Sequence, residues 1–350
     1  MTLDTSLMLQ AVSAADGDRL AMLFRDSLRN GQVHPLWHVM QRYRAGCASQ
    51  VPAPAQAPLP QPPAGTAPVL ARLALAPEAV RRTVAGLPPL PQAALRALKT
   101  LQREESSLDE LASDLGCDAS LTARVLRLAN APFYGVAGRV ASVRDAVLLL
   151  GRRTLASVLT VSLMTGQFET SRSRLFDVRA FWRHALATAI ISGGLARAAR
   201  LDEDQAFVAG LLHDIGLLAM SVYFPVELDG LLQTACNEDT MLRDVEQRYQ
   251  LTSHADVGAW IAEHWRFPAP VVEAVASHHG APAQPVGIAA CVHVAVAVAH
   301  ALDVPGLAHE SVPPIDAALW LRVSSDEDAC LALFEQAETG VRTLCAALSL

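Results

Sequence analysis

His213 and Asp214 stand side by side in the segment AFVAGLLHDIGLLAM, residues 206 to 220, which is otherwise apolar. The apolar neighbours predict one helix with little of its circumference open to water, so both groups are expected to be buried. A buried carboxylate is costly unless a cation, a metal ion or several hydrogen-bond donors compensate its charge. Imidazole and carboxylate are also ligands of divalent transition metals. The pair therefore predicts either a metal site or a hydrogen-bonded buried pair without an ion.

Other histidines in the second half of the chain can join this pair. His184 lies on the preceding predicted helix, from which its imidazole is expected to reach the same ion. The doublet His278–His279 precedes a glycine at a predicted helix end, where a protonated imidazole can also interact with the helix dipole. His293 and His300 share a predicted helix face that carries no cysteine or acid. We interpret these last two as core or interface histidines.

The elements that must position these side chains are predicted to be helices throughout. From residue 69 onward, apolar residues recur at helical spacing and no sustained period-2 alternation occurs. Ser107 and Glu110 have the spacing of a capping box, and Gly116 follows where that helix is expected to end. Ser142 and Asp145 indicate a second helix start of the same kind. The sequence therefore predicts an all-α, multi-helix bundle.

A proline-rich stretch divides the chain into unequal parts. Residues 51–68, VPAPAQAPLPQPPAGTAP, contain seven prolines and no charge, which indicates a semi-rigid linker. Residues 1–50 precede it and are predicted to form a helical arm, either a separate module or a docking segment. Residues 69–350 are predicted to be one domain, made of an N-terminal helical lobe (69–172), a second lobe with the histidines (173–303) and C-terminal helices (304–350).

The composition favours a globular protein that does not bind polyanions. Of the 350 residues, 51% are hydrophobic, and 28 basic against 35 acidic residues give a net charge of −7. With no long basic run, nucleic acid and anionic membranes are disfavoured as partners. The six cysteines show no CxxC pairs, and the N-terminus lacks the pattern of a secretory signal. We therefore expect a cytoplasmic protein that is not embedded in a membrane.

The order of several segments resembles one known family. Residues 87 to 301 are similar to the HDOD domain, a divergent branch of the HD superfamily found in bacterial signalling proteins. The matching stretches are LPPLPQAALRAL, DASLTARVLRLANAPFYG, SVRDAVLLLGRRTL, FWRHALATA, AFVAGLLHDIGLLAM, HADVGAWIAEHWRFP and VVEAVASHHGAP. The resemblance implies an HDOD-like bundle of two helical lobes.

The resemblance also implies roles for individual residues. In HD phosphohydrolases a first His, the His-Asp pair and a final Asp hold the metal, with additional His in binuclear versions. The residues of this sequence that match are His184 for the first ligand, His213 and Asp214 for the pair, and His254, His278 and His279 for the additional ligands. The position of the final Asp is matched by Val296, which cannot bind a metal, and the nearest acid downstream is Asp303. The resemblance therefore implies a degenerate site that binds a divalent metal weakly or not at all.

The function we expect is non-catalytic. The family resemblance indicates a signal-transduction module that binds protein partners, linked to cyclic-di-nucleotide or two-component pathways. A metal-dependent phosphohydrolase or phosphodiesterase is the alternative, in which another carboxylate or water replaces the missing Asp. A sensor that binds a nucleotide without cleaving it is the third hypothesis.

Overall fold

The described part of the chain is entirely helical. In a computed structural model, the residues described are 14–46, 75–90, 96–97, 100, 106–117, 122–123, 125–126, 129–130, 140–168, 171–280, 282–284, 286–307, 310–324 and 326–348. Within these ranges every regular element is an α-helix. The all-α prediction is confirmed.

The helices are numbered in chain order. They are α1 (Ala14–Leu23), α2 (Arg25–Arg29), α3 (Trp37–Gly46), α4 (Pro77–Ala85), α5 (Leu108–Gly116), α6 (Val143–Gln167), α7 (Val178–Ala198), α8 (Glu203–Leu212), α9 (Ile215–Tyr223), α10 (Pro225–Glu238), α11 (Leu242–Arg248), α12 (His254–His264), α13 (Ala269–Ser277), α14 (Ile288–Ala301), α15 (Ala317–Val323) and α16 (Glu327–Leu348).

Two predicted helix starts are found where the sequence indicates them. The hydroxyl of Ser107 accepts a hydrogen bond from the backbone N–H of Glu110 at 3.0 Å, and α5 ends at Gly116. The hydroxyl of Ser142 accepts from the N–H of Asp145, also at 3.0 Å. Each bond satisfies a backbone donor that the first turn of a helix leaves free. Local sequence is therefore sufficient to begin these helices.

Helix α7 lies at the centre of the histidine-bearing lobe. It packs against α8, α14 and α16, and α8 also contacts α13 and α14. A second layer of contacts joins α9 to α12 and α12 to α13. Because these helices are rich in alanine, their axes can approach closely. The ends of α8, α12 and α13 are thereby brought to the same region beside α7.

One segment of the described residues is long and apolar enough to cross a membrane. It runs from Glu203 to Tyr223, and an 18-residue stretch within it has a mean hydropathy of 1.6 and is 94% buried inside the fold. The same stretch supplies the contacts of α8 and α9 with the surrounding helices. Its hydropathy is accounted for by this position in the core. The cytoplasmic location stays a prediction.

The predicted N-terminal arm folds back onto the C-terminal half of the chain. Arg19 forms an ion pair with Asp303, and the carbonyl oxygen of Leu23 accepts a hydrogen bond from the N–H of Val312 at 2.8 Å. Phe24 is 1% exposed and belongs to the same continuous core as the domain. These contacts favour the docking segment over the separate module for residues 14–46. The linker at 51–68 lies outside the described residues, and the predicted domain boundaries stay predictions.

Candidate metal centre

The His213–Asp214 pair lies in a turn between α8 and α9, not within one helix as the sequence predicts. Asp214 has φ −103° and ψ 16°, which interrupts the helical path. Adjacent residues on a regular helix do not face each other. The turn instead brings Nε2 of His213 to 3.2 Å from Oδ2 of Asp214. The uniform apolar character of the segment hides this break, because both helices and the turn are buried.

A close helix contact brings His254 to the same place. A Cβ atom on Gly216 would overlap the carbonyl oxygen of His254 and lie 2.8 Å from the backbone nitrogen of Gly258. Only glycine therefore allows α9 to approach the first turn of α12 this closely. Nε2 of His254 consequently lies 3.5 Å from Oδ1 of Asp214.

All six residues that the sequence predicts as metal ligands converge at this position. Their ligand atoms form two groups, in each of which the atoms lie within 4.8 Å of one another. The first group is His184, His213 and Asp214, and the second is Asp214, His254, His278 and His279. Asp214 belongs to both groups. The arrangement can accept two metal ions that share one carboxylate, although metal binding itself stays a prediction.

Four of the imidazoles have the same pattern of hydrogen bonds. In each, Nδ1 faces an acceptor that carries no proton to donate, so Nδ1 must carry the hydrogen. The bonds run from His184 to the carbonyl of Val304, from His213 to that of Gly210 and from His278 to that of Val275, all at 2.7 Å, and from His254 to the carboxylate of Glu246 at 2.8 Å. In the neutral ring, the lone pair is then on Nε2, which in all four points towards the centre.

Several of these inward-facing atoms lack a hydrogen bond. Nε2 of His213, Nε2 of His278 and Oδ1 of Asp214 are buried and have no hydrogen-bond partner among the described residues. Nε2 of His278 does lie 3.2 Å from Oδ1 of Asp214, but with the ring proton on Nδ1 neither atom has a hydrogen to donate. Buried polar atoms without partners are rare and costly. Their common direction is that expected of ligands that share a cation.

The electrostatics of the centre favour neutral rings at His184 and His278 beside an ionised Asp214. Burial lowers the pKa of His184 and of His278 to about 4. For Asp214, burial alone would raise the pKa, but the neighbouring His213 and His278 outweigh it and hold the pKa well below its usual range. A buried negative charge beside neutral rings is stabilised by a cation. The centre therefore fits a divalent metal ion, and its excess of imidazole favours zinc or iron over magnesium or calcium.

Glu246 is a second buried carboxylate, which sequence reasoning missed. It is 1% exposed, lies on α11 and faces the imidazole of His254. Burial alone would lower the pKa of His254, but the charge of Glu246 raises it to about 9. On its other side, Nε2 of His254 lies 2.8 Å from Nε2 of His279. Without a metal ion, His254 is therefore protonated and can donate this hydrogen to His279.

His300 and Glu310 extend the centre on the side of His184. The rings of His300 and His184 are 4.9 Å apart, and Nε2 of His300 lies 3.8 Å from Oε2 of Glu310. His300 is buried, as predicted for a core residue, but its Nδ1 has no hydrogen-bond partner in the described ranges. Burial, together with the charge of Asp214, raises the pKa of Glu310 to about 7. No motif marks Glu310, because it lies outside the helices, in the segment after α14.

The carboxylate expected at the end of the ligand series is absent from α14. Val296 is 1% exposed and lies between His293 and His300 along that helix. Nδ1 of His293 donates to the carbonyl of His278 at 2.9 Å, which agrees with its predicted role in the core. The next acid, Asp303, forms an ion pair with Arg19 of the arm. Glu310 is therefore the described acid after α14 that approaches the centre.

Comparisons with known proteins find a family and solved structures that this chain resembles. The family model of the HDOD domain matches residues 87–281. An HDOD domain protein of unknown function from Geobacter sulfurreducens is 28% identical, with a TM-score of 0.61 over 80% of this chain and 98% of that one. A protein from Marinobacter aquaeolei VT8, provisionally described as a signal transduction protein, is 22% identical, with a TM-score of 0.60 over 99% of this chain and 68% of that one.

A sequence relative is larger than this chain. An uncharacterized protein of Treponema pallidum (strain Nichols) is 26% identical over 211 residues, which make up 57% of this chain. The match spans only 39% of that protein's length.

Proposed function

This chain belongs to the HDOD family, and from that premise we propose that it is a non-catalytic signalling module with a divalent metal ion in its buried centre. The module would act by binding other signalling proteins. The net charge of −7 supports protein partners over nucleic acid or an anionic membrane. A link to cyclic-di-nucleotide or two-component pathways is part of the same proposal.

The metal part of the proposal rests on the shared direction of the imidazoles. Four rings are fixed through Nδ1 so that Nε2 faces Asp214, and two of these Nε2 atoms are buried without a hydrogen-bond partner in the described residues. His184, His213 and Asp214 would hold one ion, and Asp214, His254, His278 and His279 a second. A bound ion would replace the missing hydrogen bonds and join α7, α8, α12 and α13.

The non-catalytic part rests on enclosure and on the missing ligand. The side chains of His213 and His278 are 0% exposed and that of Asp214 is 10% exposed. A phosphodiester would need to reach a metal ion behind these groups. Val296 also leaves one ion without the carboxylate that would neutralise it and fix its geometry. Both features favour a structural or regulatory ion over one that turns over substrate.

Metal content is the direct test. We expect protein purified without chelator to contain about one or two equivalents of zinc, iron, manganese or nickel by elemental analysis. Asp214→Asn keeps the size of the side chain but removes its charge, and should lose most of this metal. The matched control is Asp328→Asn, because Asp328 is 82% exposed. A well-folded wild-type protein that takes up no metal would refute this part of the proposal.

A metal-dependent phosphohydrolase is the second candidate. It is favoured by the two ligand groups that share Asp214 and by the nearby carboxylate of Glu310. Such an ion would lower the pKa of a bound water and supply a nucleophile. The metal-loaded protein should be assayed with mono- and diesters of phosphate, with Asp214→Asn as the blank. Hydrolysis that requires both metal and Asp214 would replace the non-catalytic proposal with this one.

A further inference from the structure

Glu246 contacts only one of the two ligand groups of the centre, the group that contains His254. Its carboxylate accepts three hydrogen bonds from His254, one from the backbone N–H at 3.0 Å and two from Nδ1–H at 2.8 and 3.0 Å. Within the described part of the chain, its oxygens have no other hydrogen-bond partner. His184, His213 and His278 donate instead to neutral backbone carbonyls. His254 is thus the one imidazole of these four that is held by a negative charge.

A carboxylate that accepts a hydrogen bond from Nδ1 changes the ligand strength of Nε2 on the opposite side of the ring. It attracts the proton on Nδ1, increases the electron density on Nε2 and makes Nε2 a stronger metal ligand. It also prevents the ring from turning, because Glu246 and His254 are 1% and 2% exposed and are packed on all sides. A buried carboxylate of this kind needs positive charge beyond the imidazole, supplied by a proton or by a metal ion.

We infer that Glu246 is a positioning residue that makes the two metal positions unequal, so that the position formed by Asp214, His254, His278 and His279 binds its ion more tightly than the one formed by His184, His213 and Asp214. This inference rests on the proposed metal binding and adds the order of occupancy to it. The tighter position would be filled first and would stay filled when the other is empty.

The substitution Glu246→Gln tests this role with little change in volume. If the amide oxygen of the new glutamine accepts the hydrogen bond from the backbone N–H of His254, its NH₂ group must face Nδ1 of His254. Nδ1 must then accept a hydrogen bond, which moves the ring proton to Nε2 and removes the lone pair that faces the metal. The reverse orientation would place the NH₂ against the backbone N–H. The variant is therefore expected to switch the tautomer of His254.

The experiment is a zinc titration of the full chain, stripped of metal and followed by competition with a chromophoric chelator. Wild type should bind in two steps, and Glu246→Gln should weaken the tighter step by about 10- to 100-fold and leave the weaker step within about 2-fold. His184→Asn identifies the steps, since asparagine can still donate to Val304 and should weaken only the other position. The matched control is Glu263→Gln, because Glu263 is exposed on α12, the helix that begins with His254.

Imidazole ¹⁵N chemical shifts give a readout that a purely structural role would not move. The Nδ1–H tautomer of His254 should be present in the zinc-bound wild type and absent in Glu246→Gln. Equal affinities in wild type and Glu246→Gln, or an equal loss in both steps with an unchanged tautomer, would overturn the inference and leave the proposed metal binding intact. A wild-type protein that binds no zinc in either step would overturn both.

Discussion

At the scale of single residues, the position of the proton on each imidazole decides whether the centre can bind a metal ion. Backbone carbonyls and Glu246 keep a hydrogen on Nδ1, so in the neutral form of each ring the inward nitrogen is a ligand and not a donor. Asp214 alone cannot satisfy them, because it has only two oxygens and no proton to share. The same arrangement makes the metal-free protein sensitive to pH in both directions.

Acid should destabilise the metal-free protein through its buried histidines. The pKa of His184 and of His278 is about 4 in the folded state, whereas it is about 6.5 in an unfolded chain. Between these values the unfolded state binds protons that the folded state does not, so stability falls as pH falls from about 6.5 to 4, by about 3 kcal/mol for each group. Urea unfolding at pH 6.5 and 4.5 measures this loss. His184→Asn should make it smaller, and an unchanged free energy of unfolding would contradict the prediction.

Alkaline pH should destabilise the metal-free protein, because His254 then loses its proton. Its pKa is raised to about 9 in the folded state by Glu246, so its contribution to stability is complete below about 6.5 and is lost as pH rises through 9. Urea unfolding at pH 7 and 9.5 should show this loss in the metal-free protein. In Glu246→Gln, which lacks the negative charge, the difference between the two pH values should be smaller. A larger difference in the variant would show that another group titrates.

Close contacts between helices decide, at the scale of elements, whether the ligands meet. The His213–Asp214 turn is placed by α8 and α9, and His254 by the first turn of α12. Gly216 sits where α9 and α12 touch, and a side chain there would meet backbone atoms, which cannot move aside as a side chain can. The group that contains His254 therefore depends on Gly216, which is not itself a candidate ligand.

Gly216→Ala should separate α9 from α12. The added methyl group would overlap the carbonyl oxygen of His254, and we expect a loss of about 3 kcal/mol in stability, the upper part of the usual range for overpacking. Zinc affinity at the position that includes His254 should fall with it. Chemical denaturation and the chelator competition measure the two effects. Gly116→Ala is the control, since a Cβ there meets nothing within 4 Å, and equal stability of both variants would disprove the close-contact argument.

At the scale of the whole molecule, the N-terminal arm contacts the segment after α14, and this segment in turn contacts the centre. Val304 holds the ring of His184, and further along the same segment Val312 donates to the carbonyl oxygen of Leu23 in the arm. His34 of the arm lies within hydrogen-bond distance of the carbonyl of Pro313, at 3.0 Å. The segment that supports one ligand is thus fixed from outside by residues far away in sequence.

Phe24→Ala tests whether the arm is part of the cooperative fold. Phe24 is 1% exposed and packs edge-on against Trp37 and His34, so its truncation should cost about 3–5 kcal/mol. Because the arm shares the core, we expect the whole protein to unfold in one transition at a lower temperature. Leu28→Ala, at a position that is 38% exposed, should change stability by less than about 0.5 kcal/mol. A second, unchanged transition in Phe24→Ala would show that the arm is independent.

The sequence by itself determined the helical class, several helix starts and the six residues that converge at the centre. Period and caps are local properties, and they agree with the structure at Ser107 and Ser142. Tertiary structure alone decided the break at Asp214, the approach of Gly216 to His254, and the addition of Glu246, His300 and Glu310 to the centre. These depend on which buried surfaces meet, and a uniformly apolar pattern contains no information on that choice.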